Sequence, residues 1–269
     1  MPLKKLLLKA GVNRENTRYT SEGGWYECDK IRFRQGTPEK IGGWQRISAS
    51  NFQGICRSLW NWVTLGSQNL TGVGTNLKFY IENGGQYNDI TPLRATVTLT
   101  NPFETVSGSP IVTVTDAAGG YKDGDFVTFS GATTVGGLTL NGEFEITFTE
   151  AVNEYAITAT SNATSSATGG GTVTAEYQIN VGTGFAVPVT GWGAAEWGFG
   201  TWGVGETSVE SIRLWSQSNF GEDLIFGPRG GAIYYWEAGA GLNSRAVELS
   251  TLSGASGVPT TQNFLEISD

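Results

Sequence analysis

The sequence predicts an all-β chain, with partial β-propeller-like blades and an inserted Ig-like β-sandwich domain. Three observations predict it. Glycine reaches 39 residues while charged residues are only 16% and aromatics 12%, a composition of short strands joined by tight turns. Two separated stretches repeat one order of Leu-Trp, apolar strand, aromatic strand and Gly-rich turn. Between them lies a Trp-free segment rich in Thr, Val, Ala, Ser and Gly. With 39% hydrophobic residues the chain has enough apolar material for a core.

Residues 1–58 form a basic, aromatic segment that reads as a docking element. Residues 1–46 hold ten Lys/Arg against five acids, a net of +5, and the remainder a net of −13. A basic end on an acidic body suits an arm that docks on an acidic surface, or equally a solvated basic face. In "KIRFRQGTPEKIGGW", Ile31 and Phe33 alternate with Arg32 and Arg34, which predicts a strand with an arginine face. "QGTPEK" then supplies the reversal and "IGGW" the return, with Arg32 and Arg34 presented outward. The opening "MPLKKLLLKAG" does not read as a convincing export signal, because Lys9 interrupts its apolar run after Leu8. No segment is long enough to span a bilayer. Cys28 and Cys56 fit no zinc or redox spacing and read as free, buried thiols of a protein assembled in a cytoplasm.

Residues 59–95 read as a first propeller-like blade, and residues 179–269 as a Trp-Gly linker followed by a second. Both copies open on Leu-Trp (Leu59-Trp60, Leu214-Trp215). Both reach an aromatic strand ending in Glu, "KFYIE" and "IYYWE", and close on short strands, "DITPL" and "RAVEL". Residues 96–178 read as the inserted β-sandwich-like domain. Its candidate strands are "SPIVTVTD", "DFVTFSG", "LNGEFEITF", "EYAITAT" and "GTVTAEYQI", with "SNATSSATGGG" a flexible loop. Such an insert fits a blade array if its two ends emerge side by side.

The chain has no histidine, which removes serine and cysteine triads, His-ligated zinc and His general bases. Carboxylate chemistry and oxygen-ligated calcium remain. Asp123 and Asp125 flank Gly124, a turn pattern that lacks the further ligands of a calcium loop. Glu143 and Glu145 share one strand face opposite Phe144, Ile146 and Phe148, the pattern of a half-exposed strand rather than a catalytic pair. No catalytic, metal or cofactor site is expected. Trp192, Trp197 and Trp202 recur every five residues, each followed by Gly. They suit packing or a subunit interface first, and a sugar-stacking platform second.

"GVNRENTRYTSEGGWYECDKIRFRQGTPEKIGGW", "LWNWV" with "GVGTNLKFYI", the Trp-Gly run and "FGEDLIFGPRGGAIYYW" together resemble structural tail proteins of short-tailed bacteriophages. The nearest picture is the tail nozzle, or tail tubular, protein below the portal and adaptor. The resemblance implies a virion tail protein, a hexameric ring of β-propeller subunits that prolongs the DNA ejection channel without catalysis. Its partners would be itself, the adaptor or head-to-tail connector, and tail fibres or spikes, with genomic DNA passing unbound. The family's propeller has more blades than the two found here, and two blades cannot close one. The chain is then either part of a longer protein or closes by another route. Within the ring, Arg14, Arg18, Trp25, Arg32, Arg34 and Trp44 would grip the partner above, the arginines through charge-assisted bonds and the tryptophans through contact area. The rival readings are a carbohydrate-binding tail adhesin or fibre-attachment protein and, further off, a virion-associated glycan hydrolase.

Overall fold

Apart from two short 3-10 turns, every regular element of the described residues is a β-strand, and every strand pairing is antiparallel. The structure is a computed structural model that describes residues 8–15, 17, 19–20, 22–43, 45–46, 48–117, 121, 124–148, 153–182, 212 and 214–268. The chain divides into two units, Met1–Ile47 and Ser48–Asp269.

The first unit is built on one hairpin, β1 (Ile31–Arg34) and β2 (Thr37–Lys40). Ile31 and Phe33 are half-buried and Arg32 and Arg34 exposed, as alternation requires. The reversal is shorter than the expected "QGTPEK". Only Gln35 (φ 49°) and Gly36 (φ 82°) turn. Two consecutive left-handed residues match the right-handed twist of the strands, so two suffice. Thr37–Lys40 is itself the returning strand, and Pro38 is tolerated because a two-stranded ribbon has only edges.

The second unit holds two pairs of sheets. The first sheet of one pair is β3 (Cys56–Val63), β4 (Asn69–Thr75), β5 (Phe79–Asn83) and β6 (Gln86–Asp89), hydrogen-bonded in chain order. A middle module follows, with β7 (Leu93–Thr100), β8 (Phe103–Thr105), β9 (Ile111–Thr115), β10 (Phe126–Ser130), β11 (Gly142–Glu145), β12 (Thr147–Phe148), β13 (Glu154–Thr158), β14 (Ala167–Gly169) and β15 (Thr172–Gln178). The last sheet, β16 (Trp215–Phe220), β17 (Asp223–Pro228), β18 (Tyr234–Trp236) and β19 (Val247–Glu248), repeats the chain-order meander of the first. The fourth strand of the first meander is Gln86–Asp89 rather than "DITPL", because the Gly84-Gly85 turn returns the chain at once.

In the middle module the order β11-β10-β15-β7 faces β12-β13-β9-β8-β14, and both sheets bury side chains in one core. Phe103 of β8 meets Phe129 of β10 edge to face at 5.1 Å, and Tyr155 of β13 meets Tyr177 of β15. "LNGEFEITF" is not one strand. The chain leaves β10 after Glu145 and joins β13 at Thr147, and between them Ile146 is buried and bonded through its backbone to Gly124 and Asp125. "SNATSSATGGG" is not wholly loop either, because Ala167–Gly169 pairs with β8. Gly170 lies so close to Phe103 that an added Cβ would sit 2.5 Å from its ring. The ends of the module lie together: Leu93 is the register partner of Gln178.

The core of this module contains a buried polar chain. Tyr177 donates to Asp116 at 2.6 Å, and Tyr155 to the Tyr177 hydroxyl at 2.8 Å. Burial raises the pKa of both phenols above the ordinary value of about 10. A phenol whose folded pKa is raised adds stability that is fully present below about pH 10 and is lost as pH rises through the folded values. The melting temperature should therefore fall steeply above about pH 10, and Tyr177→Phe should flatten that fall. Melting curves recorded alongside phenolate absorbance check this; a melting temperature level through the alkaline range would contradict it.

Candidate assembly surface

The two meander sheets dock through tryptophans set into glycine notches. On β3, Trp60 and Trp62 point the same way by alternation, and each reaches the β16–β17 hairpin. Trp60 Nε1 donates to Asn219 Oδ1, and Trp62 Nε1 to the Glu222 carbonyl at 3.0 Å. In return Trp215, at the start of β16, donates Nε1–H to the Thr75 carbonyl at 2.6 Å. A side chain this large comes so close because β4 carries Gly72 and Gly74. An added Cβ at Gly74 would lie 2.4 Å from Trp215 Cδ1. Phe79 stacks on Phe226 with centroids 4.1 Å apart and meets Trp215 edge to face, while Trp62 meets Trp236.

A charged clasp ties this body to the middle module. Lys78, only 2% exposed, bonds Asp89 Oδ2 at 3.0 Å and Glu143 Oε1, and its ammonium sits over the Phe126 ring. Gln178 Nε2 donates to the same Glu143 oxygen at 2.8 Å. Arg245, from the loop before β19, pairs with Asp89 Oδ1 at 3.1 Å and donates to the Thr91 carbonyl. Five residues from both meanders and the middle module thus share one set of charges. Buried charges need such pairing. Nearby, Asp125 is 5% exposed, accepts from Asn180 at 2.8 Å and lies 3.9 Å from Arg94.

In the first unit the sequence-predicted residues divide. Trp25 is half-buried, bridges Val12 in parallel register and packs edge to face on Phe33 at 6.0 Å. Arg14 donates to the Tyr26 carbonyl, lies over the Tyr26 ring and pairs with Glu27 at 3.5 Å. Arg32 pairs with its cross-strand neighbour Glu39 at 3.1 Å. Both arginines thus have exposed acidic partners on their own unit, pairs worth little in stability and readily exchanged. Arg34 is exposed. Arg18, Trp44, Trp192, Trp197, Trp202 and Asp123 lie outside the described residues.

Sequence reasoning missed the clasp and assigned Glu143 only to a half-exposed face with Glu145. The one available signal was Lys78, a lone cation at the edge of the apolar run "FYI". The cysteines are free as expected but not buried: Cys28 is intermediate and Cys56 exposed, because β3 is an edge strand. Partial desolvation still raises the Cys56 thiol pKa. Tyr80 is pushed up to about 12, chiefly by burial, and Tyr235 to about 12 by its hydrogen bond to Asp223. Among the described residues no group of three or more His, Cys, Asp or Glu could hold a metal ion. No helix among them is long and apolar enough to cross a membrane.

No protein-family model matches the chain, and no curated protein matches it. Among solved structures it is similar to a phage phi92 endosialidase, with a TM-score of 0.29 and 12% identity. That likeness covers 78% of this chain and 39% of the other, so the chain spans about two fifths of the length of that protein. A likeness of this size assigns neither fold nor activity.

Proposed function

We propose that the chain is a structural protein of a short phage tail, a tail nozzle or tail tubular subunit whose ring lies below the portal and adaptor and continues the DNA channel. The observation that carries this reading is the docking of two sheets of the same strand order and the same Leu-Trp opening, face on face. Neighbouring blades of a propeller pack this way. On this reading the meanders are blades, and the middle module is an Ig-like sandwich inserted between them. Its paired ends, Leu93 opposite Gln178, favour an insertion.

The subunit acts by assembly rather than catalysis. Glu143, one of the carboxylate candidates, is held by Lys78 and Gln178. The basic, aromatic first unit docks on the adaptor or head-to-tail connector, where Arg14 and Arg32 can exchange their exposed intraunit partners for acidic groups. Tail fibres or spikes attach to the same ring. The acidic remainder of the chain disfavours retention of the DNA phosphates.

A glycan array and a DNA-retention assay test the reading together. A nozzle subunit should show no saturable glycan signal and no DNA retention at physiological salt. A glycan signal abolished by Trp192→Ala, Trp197→Ala and Trp202→Ala together would replace this reading with a carbohydrate-binding tail adhesin.

A further inference from the structure

The charged clasp holds the parts of a reaction as well as of a contact. The Lys78 ammonium, on a side chain only 3% exposed, lies 3.0 Å from Asp89 Oδ2, bonds Glu143 Oε1 and has the Phe126 ring centroid 4.9 Å away. The two carboxylates are held differently. Asp89 Oδ1 accepts from the Thr91 amide at 2.9 Å, the Thr91 hydroxyl at 2.6 Å and Arg245 Nη1 at 3.1 Å, while Lys78 takes the other oxygen. Glu143 instead receives both Lys78 and Gln178 on a single oxygen, Oε1. A buried amine, a carboxyl group polarised on its far oxygen and a second carboxylate on the amine are what an amide condensation needs.

We propose that Lys78 Nζ and Asp89 Cγ join in a side-chain amide bond, with Glu143 carrying the protons. Glu143 moves one proton from the Lys78 ammonium to Asp89 Oδ2, leaving a free amine beside a neutral acid. The Nζ lone pair then attacks Cγ, and the C–N bond forms as the Cγ–Oδ1 π pair shifts onto Oδ1. Thr91 and Arg245 already donate to that oxygen, as stabilisation of the tetrahedral intermediate requires. Glu143 passes a second proton from Nζ to Oδ2, the Cγ–Oδ2 bond breaks and one water leaves. Nζ keeps one hydrogen, Glu143 is a carboxylate again, and no oxidant or other reactant is consumed. Two features favour the step. Folding holds amine and acid together, which replaces an encounter between separate molecules. The amide is neutral, so Lys78 and Asp89 no longer have to be kept charged in the interior. The ion pair is the state from which the bond forms, and the bond fastens the residue before β5 to the last residue of β6. The inference is independent of the ring reading and stands or fails without it.

The intact mass of the purified full-length chain, measured under denaturing conditions, tests it. The parent should weigh one water less than its sequence. Trypsin, which cuts after Lys and Arg, should cut after Arg57 and Arg94 but not after Lys78, so that residues 58–94 stay one peptide. Fragmentation of that peptide should give no sequence ions from the bonds between Lys78 and Asp89. Glu143→Gln, shown to be folded by near-ultraviolet circular dichroism, should keep the full mass of its own sequence. A parent at full mass and cut after Lys78 overturns the proposal, as does a loss of water that maps outside residues 58–94. A folded Glu143→Gln chain that loses water as completely as the parent overturns the part assigned to Glu143.

Discussion

Lys78→Met should destabilise the protein by about 3–5 kcal/mol, the range expected when one partner of a buried ion pair is removed. The side chain of Lys78 is 3% exposed, and it stands between carboxylates from two different modules. Methionine fills the same volume, so the loss is electrostatic rather than a cavity. Asp89 keeps Arg245 and Glu143 keeps Gln178, but the single cation that joins them is gone. Glu143 then faces Asp89 with no cation between them. Chemical denaturation gives the free energy directly, and hydrogen exchange should show β11 and the end of β15 opening ahead of the core strands. A loss under about 1 kcal/mol would mean that the pair behaves as a screened surface bridge.

Gly74→Val should cost about 3 kcal/mol or more, at the upper end of the overpacking range. Any Cβ there lies 2.4 Å from both Ser58 Oγ and Trp215 Cδ1. The indole cannot slide away without breaking its bond to the Thr75 carbonyl or its edge contact with Phe79. The substitution therefore separates the two meanders rather than merely straining β4. Gly66→Ala is the control, since its nearest atom is 3.7 Å away and nothing has to move. Equal unfolding midpoints for the two variants would mean that the sheets do not depend on this notch. A Trp215 fluorescence shift in Gly74→Val before global unfolding would locate the damage at the interface.

The fold was legible where one strand face is buried. The period-two pattern of "IRFR" and the Leu-Trp repeat each specify strands because alternation places the apolar face without outside help. Elements whose pairing comes from distant chain were not legible. β8 and β14 are three residues each, too short for a period, and they exist because each pairs with a partner over sixty residues away or with β9. β7 has the alternating sequence "LRATVTLT", yet "DITPL" just before it competed for the strand and moved the boundary. The break in "LNGEFEITF" follows from its two ends belonging to different sheets, which alternation within the segment does not record.

The candidate site shows the same division. A tryptophan-rich repeat predicts that aromatic side chains will carry an interface, but not that Trp215 enters a notch between Gly74 and Ser58. The clasp draws on Lys78, Asp89, Glu143, Gln178 and Arg245, which no local window contains. Each taken alone reads as an ordinary surface residue, and only the assembled fold makes Lys78 a buried charge.

The central claim is that this chain acts as an assembly subunit, and negative-stain class averages of the purified full-length chain test it most directly. The account predicts particles with rotational symmetry around a central hole, built of repeated subunits. Asymmetric single-subunit particles in every average, from a chain that also shows saturable glycan binding, would contradict it.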